Sequence, residues 1–298
     1  MTKVTPPKIV VGQPLQNKPK TDAQKEPSKN NVLEFWNQQA EKHGADQTAT
    51  APDHFYRDNV EIKRIVEVMT IMEPEAILDV GCGNGYSTIE IAKKFPTAMV
   101  IGVDYSEKML EEAREAAKGI NNITFFQGDA LTLSWHPKLQ HQKFDVVLSV
   151  RCLINLDNWE EQKLAILQMR KLLTPDGSLI LVENTKEGLE KLNLLRQIVD
   201  LPPIEQRWHN NYIPEDKLRQ FVAENNRKLF QLMGMENIGN LYYIISRVVY
   251  AKLAQMEGKE PSYDHPINEI ASQLPSLGDH YSCSPNYMMI LENIPDEE

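Results

Sequence analysis

Apolar and polar positions follow a repeating pattern in the central part of the chain. Short apolar runs recur between residues 76 and 183, and runs of this kind are typical of strands buried on both faces of a parallel sheet. Between them lie segments whose apolar residues are three or four positions apart, as in amphipathic helices. The pattern predicts an α/β domain with strands at 76–80, 98–103, 123–126, 144–149 and 178–183.

The segments on either side of this core have a different rhythm. Two helices are predicted before it, at 31–44 and about 59–72. After residue 184 we expect helices at 186–199, 214–224 and, for the most part, 238–256, and strands at 228–235 and 286–291. The polar segment 258–283, which contains three prolines, predicts an inserted loop or lid.

The first predicted strand leads into a turn with glycine at three alternate positions, Gly81, Gly83 and Gly85. Glycine lets a ligand approach the backbone where a Cβ would obstruct it. A strand, a glycine turn and a helix in succession are typical of a nucleotide site in a doubly wound sheet. Asp104 ends the second strand, about 20 residues beyond the turn, where a carboxylate accepts both ribose hydroxyls of a bound nucleoside.

The spacing of the glycines indicates whether the turn is suited to a simple nucleoside or to a dinucleotide. A dinucleotide fingerprint places its third glycine three positions after the second, whereas here Gly85 comes one position earlier and Tyr86 follows it. Asp79 precedes the first glycine by two residues, and on charge grounds an acid there favours a cationic group over a phosphate. The turn therefore predicts a nucleoside ligand that carries positive charge.

The composition of the chain disfavours several classes of binding partner and of metal site. The chain has 298 residues and a formal net charge of −10, which disfavours a large nucleic-acid interface. Its three cysteines have no paired spacing, which fits a reducing compartment and argues against structural zinc. The first residues lack the apolar core of a signal peptide, and no apolar run is long enough to span a bilayer. We therefore expect a cytoplasmic protein without a metal site or a membrane partner.

These features together resemble the class I S-adenosylmethionine-dependent methyltransferases. The resemblance rests on five motifs in order: LDVGCGNG at 78–85, VDYSEKML at 103–110, GDA at 128–130, FDVVLS at 144–149 and LLTPDGS at 172–178. It implies S-adenosyl-L-methionine as the cofactor. It also implies a Rossmann-like, doubly wound sheet of seven mostly parallel strands with an antiparallel hairpin at one edge. The segments 151–156 and 201–210 are similar to a bacterial branch of the family found beside surface-polysaccharide or specialised-metabolite genes.

The resemblance also implies a set of cofactor-binding residues. In it, Asp79 and Gly81 surround the methionine end, Asp104 holds the ribose and Asp129 accepts from the adenine amino group. We further expect Tyr56 and Arg57 to close over the cofactor. The full set is Tyr56, Arg57, Asp79, Gly81, Cys82, Gly83, Asn84, Gly85, Asp104, Tyr105, Met109, Gly128, Asp129, Ala130, Ser149 and Val150.

The sequence defines the acceptor side less sharply. Methyl transfer is an in-line displacement that depends on alignment, so it requires neither a metal nor a nucleophile triad. A nearby base helps where the acceptor is a hydroxyl or a protonated amine, and His209 is the leading candidate, with Arg151 and Tyr212 as further catalytic candidates. Two alternative interpretations remain open. In one, His209 is a hydrogen-bonded structural residue of its loop; in the other, Arg151 only anchors the loop after strand four.

We expect residues 1–30, with five prolines and six lysines, to form a disordered tail. Residues 31–298 are expected to form one methyltransferase domain with N-terminal and post-strand-five helical lid elements. Its parts are an N-terminal helical cap (31–75), a cofactor-binding core (76–183), acceptor-side helices and lid (184–285), and the last strand and tail (286–298).

The predicted function is methyl transfer to a hydroxyl or amine of a small molecule, such as a sugar or a specialised metabolite. Two alternatives remain open: a methyltransferase that acts on a macromolecule, and a non-catalytic protein that binds S-adenosylmethionine. The sequence leaves the oligomeric state open.

Overall fold

A computed structural model describes residues 28–276 and 283–295 and contains one seven-stranded sheet. Its strands are β1 (Ala76–Val80), β2 (Met99–Asp104), β3 (Ile123–Gln127), β4 (Phe144–Val150), β5 (Leu173–Asn184), β6 (Phe230–Asn237) and β7 (Asn286–Asn293). Their spatial order is β3-β2-β1-β4-β5-β7-β6. The first five strands are parallel, and β7 is antiparallel to both of its neighbours. The predicted fold class is therefore confirmed.

Helices cover both faces of this sheet. They are α1 (Lys29–His43), α2 (His54–Tyr56), α3 (Lys63–Met72), α4 (Tyr86–Lys94), α5 (Glu107–Ala116), α6 (Trp159–Arg170), α7 (Lys186–Ile198), α8 (Glu215–Asn225), α9 (Asn240–Tyr243), α10 (Tyr250–Met256) and α11 (Pro266–Ser272). Two π-helical segments, Arg57–Ile62 and Ile244–Val249, connect α2 to α3 and α9 to α10. None of the helices in the described ranges combines the length and apolar character needed to cross a bilayer.

Successive strand residues face opposite helix layers. Leu78 belongs to a buried cluster that includes Ile166 of α6, whereas Ile77 packs in a second cluster with Ile65 of α3 and Ile91 of α4. Because apolar helices cover both sides, the central strands are continuously apolar rather than alternating. This packing explains why the sequence pattern identified these strands as buried and parallel.

The chain order of the strands fixes where a ligand binds. β1 lies between β2 and β4 and is parallel to both. After β1 the chain first forms β2 and β3 on one side of β1, and it then forms the remaining strands on the other side. In open α/β sheets this switch point creates a crevice outside the carboxyl ends of the strands.

Most observed bounds lie within a few residues of the predicted ones, and three of the differences have a clear structural cause. α1 begins at Lys29, inside the predicted tail, because the Ser28 hydroxyl caps it by accepting from the backbone N–H of Asn31 at 3.4 Å. Residues 1–27 of that predicted tail lie outside the described residues. β5 begins at Leu173 rather than at residue 178, because Leu173 pairs with Phe144 ahead of a bulge.

The third difference lies in the segment 258–283, for which the sequence predicts an inserted loop or lid without a helix of its own. It contains α11, which begins at Pro266 and is capped by the His265 side chain, an acceptor from the backbone N–H of Ile267 at 3.2 Å. Proline suits the first turn of a helix because the N–H groups there have no partner within the helix. Residues 277–282 of this segment lie outside the described residues.

Asp145, near the start of β4, ties this strand to the start of β1. Its Oδ2 accepts from the backbone N–H groups of Glu75 and Ala76, each at 2.9 Å. Asp145→Ala removes both hydrogen bonds, and we expect it to lower the free energy of unfolding by about 1 kcal/mol. Urea denaturation measures this loss. Asp145→Asn keeps an oxygen acceptor and should lose less, so equal losses in the two variants would contradict the assignment.

Candidate active site

A cavity of about 340 Å³ opens at the carboxyl ends of β1 to β4. This volume lies in the range of roughly 300–1,000 Å³ that is usual for small-molecule sites. One end, which we call the cofactor end, is lined by Gly81, Gly83, Asp104 and Asp129. The other end, the acceptor end, is lined by residues that follow β5, including His209 and Tyr212.

The turn after β1 has no room for side chains at two of its glycines. Gly81 has a φ of +81°, and a Cβ there would lie 2.4 Å from the Cβ of Cys152. Gly83 has a φ of +54°, and its Cβ would lie 2.9 Å from Cγ2 of Thr50. The backbone N–H of Gly81 donates to the Val103 carbonyl at 2.7 Å, which fastens the turn to β2. Both glycines line the cavity and offer it bare backbone.

Asp104 joins this turn to the end of β2. Its Oδ2 accepts from the backbone N–H of Gly83 and its Oδ1 from that of Ser106, both at 2.8 Å. Burial raises the pKa of Asp104, and the hydrogen bonds from Ser106 and Gly83 oppose the rise. Each carboxylate oxygen has two lone pairs, so each retains a site for one hydroxyl of a vicinal diol. Asp104 also lines the cavity, as binding to a ribose requires.

The predicted adenine side lies next to Asp104. The cavity is lined there by Tyr105, Met109, Gly128, Asp129 and Ala130. Lys29, the first residue of α1, forms an ion pair with Asp129, and its ammonium lies 4.7 Å from the centre of the Tyr105 ring. The helix therefore begins directly over the residues expected to recognise the base.

Asp79 lies beneath the glycine turn. Its Oδ2 accepts from the Thr88 hydroxyl at 2.6 Å. Burial raises the pKa of Asp79 to about 6 against the opposing effect of that hydrogen bond, so the carboxylate is still largely ionised at pH 7. With Cys82 and Asn84 it lines a smaller pocket beside the main cavity. Asp79 therefore supplies negative charge where the sequence predicted a cationic part of the ligand.

The other predicted cofactor residues divide into two groups. Tyr56 and Val150 line the cavity, whereas Arg57, Gly85 and Ser149 are not among its lining residues. Arg57 is buried with its guanidinium 3.9 Å from the centre of the Tyr86 ring. Gly85 precedes α4 with a φ of +76°. These three residues therefore lie behind the residues that line the cavity.

The carboxyl group of Glu183, near the end of β5, stabilises the loop after β4. Its Oε1 accepts from the Ser149 hydroxyl at 3.1 Å and from the backbone N–H groups of Cys152 at 3.1 Å and Leu153 at 2.9 Å. Burial raises the pKa of Glu183 to about 8, and these hydrogen bonds oppose the rise. The loop passes through Arg151 at a φ of +52°, so Glu183 stabilises a strained backbone beside the cavity. Sequence reasoning gave Glu183 no role of its own.

His209 lines the acceptor end within a group of aromatic rings. Its imidazole is stacked on Phe35 at 4.1 Å between ring centres and meets Trp36 and Trp208 edge to face. The residue is 4% exposed, and its Nδ1 has no hydrogen-bond partner among the described residues. Burial lowers the pKa of His209 to about 4, and the charge of Arg207 acts in the same direction. His209 is therefore neutral at pH 7.

Beyond His209 the cavity is lined by arginine and tyrosine side chains from separate parts of the chain. We refer to this group as the tyrosine–arginine corner: Arg151, Arg207, Tyr212, Tyr243, Arg247 and Tyr263. Arg247 forms an ion pair with Asp53, and its guanidinium carbon lies 4.7 Å from the centre of the Tyr263 ring. Arg151 donates from Nη2 to Oε1 of the buried Glu61 at 2.9 Å. Sequence reasoning identified Arg151 and Tyr212 as catalytic candidates but missed Tyr243, Arg247 and Tyr263.

Helix α1 lies over the cavity and connects its two ends. Lys29 and Trp36 line it from above. The indole N–H of Trp36 donates to Oδ1 of Asn155 at 3.1 Å, and the Ser106 hydroxyl donates to Oδ1 of Asn37 at 2.7 Å. The helix is thus fastened both to the loop after β4 and to the first turn of α5. The apolar face of α1 was visible in the sequence, but its position over the cavity was not.

The cofactor end fits a cationic nucleoside. It combines a glycine turn whose backbone lines the cavity, a carboxylate with free lone pairs for a diol, and an ionised acid beneath the turn. These features match S-adenosylmethionine in chemistry. Within the described ranges, no group of three or more histidine, cysteine or acidic side chains is arranged to hold a metal ion.

Comparisons with known proteins find methyltransferases. A family model described as a methyltransferase domain matches residues 72–226, just over half of the chain. A malonyl-[acyl-carrier protein] O-methyltransferase of Halalkalibacterium halodurans is 37% identical over 108 residues, which are 36% of this chain and 38% of the relative. A demethylmenaquinone methyltransferase of Staphylococcus aureus is 31% identical over 136 residues, 45% of this chain and 54% of the relative. The chain therefore spans about half or less of the curated relatives it matches.

Solved structures share the fold at lower identity. Magnesium protoporphyrin IX methyltransferase (ChlM) from Synechocystis PCC 6803 with bound SAH has a TM-score of 0.56 and 19% identity, over 89% of this chain and 100% of that chain. The plantazolicin methyltransferase BpumL in complex with SAH has a TM-score of 0.51 and 16% identity, over 89% and 98%. At these identities the likeness extends to the arrangement of strands and helices.

Removing the Asp104 carboxylate should abolish cofactor binding. Asp104→Ala eliminates both the acceptors for the ribose hydroxyls and the partner of the Gly83 N–H, so we expect S-adenosylhomocysteine to bind at least about a hundredfold more weakly. Isothermal titration calorimetry measures the affinity. Asp216→Ala, at an exposed acid on α8, is the control and should bind as wild type does. Wild-type affinity in Asp104→Ala would overturn the ribose assignment.

The low pKa of His209 predicts a loss of stability in acid. Between about pH 4 and 6.5 the unfolded chain binds a proton at this residue that the folded chain does not, so the free energy of unfolding falls as the pH drops. Between pH 7 and pH 4.5 we expect wild type to lose about 2 kcal/mol more than His209→Phe, which has no group to protonate. Urea denaturation at both pH values measures this difference, and equal losses in the two proteins would contradict it.

Proposed function

Because the chain belongs to the class I S-adenosylmethionine-dependent methyltransferases, we propose that it methylates a hydroxyl or an amine of a small molecule, such as a sugar or a specialised metabolite. The observation that carries this proposal is the form of the cavity. It runs from the glycine turn to the tyrosine–arginine corner beneath a single helix, and its volume of about 340 Å³ suits a small acceptor. One relative, a demethylmenaquinone methyltransferase, is named for a small molecule rather than a macromolecule.

At the cofactor end we assign each carboxylate a separate part of the cofactor. Asp104 would accept from the ribose hydroxyls, Asp129 would accept from the adenine amino group, and Asp79 would balance positive charge near the methionine portion. Gly81 and Gly83 would let the backbone lie against it. When bound, the cofactor supplies an electrophilic methyl carbon for an in-line displacement.

At the acceptor end we assign His209, Arg151 and Tyr212 to positioning and proton handling. His209 is neutral at pH 7 and lines the cavity, so a ring nitrogen that faces the acceptor would accept a hydrogen bond or a proton from it. Its pKa of about 4 makes it a weak base, so it is effective only where the acceptor proton becomes strongly acidic during reaction. Helix α1 would exclude water from this space and keep the acceptor aligned.

We also propose a separate role for each of three segments of the chain. The cap at 31–75 would cover both substrates, the core at 76–183 would hold the cofactor and the segment 184–285 would form the acceptor wall. Residues from the first and third of these segments meet in the ion pair between Asp53 and Arg247. Such a contact ties the two acceptor-side segments into one enclosure.

Incubation with S-adenosylmethionine labelled in its methyl group tests the function directly. We expect wild type, added to a cell extract, to place label in a low-molecular-weight compound that chromatography separates from S-adenosylmethionine, after the macromolecules have been removed by ultrafiltration. Asp104→Ala should eliminate this label, and His209→Gln should reduce the rate by about a hundredfold or more if His209 handles the proton. Asp216→Ala serves as the active control.

Three outcomes would revise the proposal. Label confined to protein or nucleic acid would replace it with a macromolecular methyltransferase. An absence of transfer, with cofactor binding intact by calorimetry, would favour a non-catalytic binding protein. A wild-type rate in His209→Gln would remove His209 from the chemistry and leave it a structural role.

A further inference from the structure

The acceptor end is rich in hydrogen-bond donors. Arg207, Arg151 and Arg247 all line it, and guanidinium groups donate only. The hydroxyl groups of Tyr212 and Tyr243 are there as well. A region in which donors outnumber acceptors complements a ligand group that carries lone pairs and negative charge.

The carboxylates near this corner are already engaged. Glu61 is fully buried behind Arg151 and accepts from its Nη2 at 2.9 Å. Asp53 lines the cavity but forms an ion pair with Arg247 and accepts a hydrogen bond from the Tyr242 hydroxyl. These contacts orient two guanidinium groups without using all of their N–H donors, since each guanidinium carries five.

Arg207 differs from the other two arginines. It is exposed, it lines the cavity, and its guanidinium has neither an ion pair nor a hydrogen bond among the described residues. Glu205, also exposed, is the further charged group on this part of the lining. Arg207 is therefore the cation available to a ligand that enters from solvent.

The positive charges of the arginines favour the ionised form of oxygen atoms in this corner. Burial raises the pKa values of Tyr212 and Tyr243, which keeps both phenols protonated as donors at neutral pH. Arg207 and Arg151 lower the pKa of Tyr212, and Arg247 and Arg151 lower that of Tyr243. An acceptor oxygen in the same place would experience the same guanidinium charges together with the same burial, so the charge and hydrogen bonds of Arg207 have to outweigh the burial for an anion to form.

Another part of the cavity lining is apolar. Leu33, Leu189, Leu192 and Ile204 line it together with the ring of Trp36, which its hydrogen bond to Asn155 holds in place. Flat or apolar ligand bodies pack well on such a surface, whereas a sugar would leave its hydroxyls without partners there.

We propose that the methyl acceptor is an acidic oxygen on an apolar ring, a phenol or an enol, which the tyrosine–arginine corner binds as its anion. This inference rests on the proposed function and specifies its substrate class. The proton leaves to solvent on binding, so for such an acceptor His209 positions the oxygen rather than removing its proton. The oxyanion then forms a bond to the methyl carbon while the carbon–sulfur bond breaks and its electron pair remains on sulfur, which gives the methyl ether and S-adenosylhomocysteine. No strong base is needed, in keeping with a site whose histidine is only weakly basic.

An optical probe tests the inference without turnover. 4-Nitrophenol absorbs at different wavelengths as phenol and phenolate, so its ionisation in the site is read directly from the spectrum. We add it to wild-type protein saturated with S-adenosylhomocysteine, at a pH below the pKa of the free probe. The phenolate band should grow on binding. The probe should bind at least about tenfold more tightly than 4-nitroanisole, its matched analogue without an ionisable proton.

Variants assign the effect to the corner. Arg207→Gln should weaken phenolate binding about tenfold and reduce the phenolate band, because it removes one charge-assisted contact. Tyr243→Phe should weaken binding by a smaller factor. Arg219→Gln, at a half-exposed arginine of α8 that is not a lining residue, is the matched control and should leave the spectrum unchanged. Thermal melting of each variant confirms that it is folded.

Competition with benzoate separates two sources of anionic oxygen. Weak competition supports a phenol or an enol, whereas benzoate binding more tightly than the phenolate would assign the corner to carboxylates and overturn the proposed class. The proposal also fails if the probe binds in its neutral form, if 4-nitroanisole binds equally well, or if neither compound binds. Calorimetry with S-adenosylhomocysteine is run in parallel: if it binds and the probe does not, only this inference fails, and if it does not bind, the proposed function fails as well.

Discussion

The structure depends on a close contact between two loops that are far apart in sequence. The turn after β1 and the loop after β4 meet where Gly81 faces Cys152, and a Cβ on Gly81 would lie 2.4 Å from that of Cys152. Because β1 and β4 are neighbours in the sheet, this contact lies at the switch point of the topology. It brings the turn that cradles the cofactor next to the loop that carries Arg151, and so joins the two ends of the cavity.

Buried carboxylates keep that contact in place. Glu183 accepts from two backbone N–H groups of the loop after β4, and Glu61 pairs with Arg151, whose backbone is in the left-handed region. Burying these acids carries a cost, which appears as raised pKa values for both. A buried acid whose partners are backbone amides of one loop fixes that loop more firmly than apolar packing would, because the hydrogen bonds are directional.

Helix α1 makes the cavity a single enclosure. Its first residue pairs with Asp129 at the cofactor end, and its ring of Phe35 stacks on His209 at the acceptor end. One rigid element therefore contacts both places where substrates are expected. Exclusion of water and alignment of the reacting groups follow from the same helix, which suits a reaction whose rate depends mainly on positioning.

The sequence by itself determined the core of the fold and the candidate residues of the cofactor end. The strands from 76 to 183, the glycine turn and Asp104 are encoded in continuous segments, because backbone conformation and strand burial depend on local residue type. The helix α11 was missed because a proline start with a histidine cap looked like a loop signal. Only the tertiary structure decided the acceptor end, where Asp53, Arg151, Arg207, Tyr243 and Tyr263 converge from segments that share no local pattern. These residues come together through long-range packing and buried ion pairs, and such contacts cannot be predicted from a short stretch of sequence.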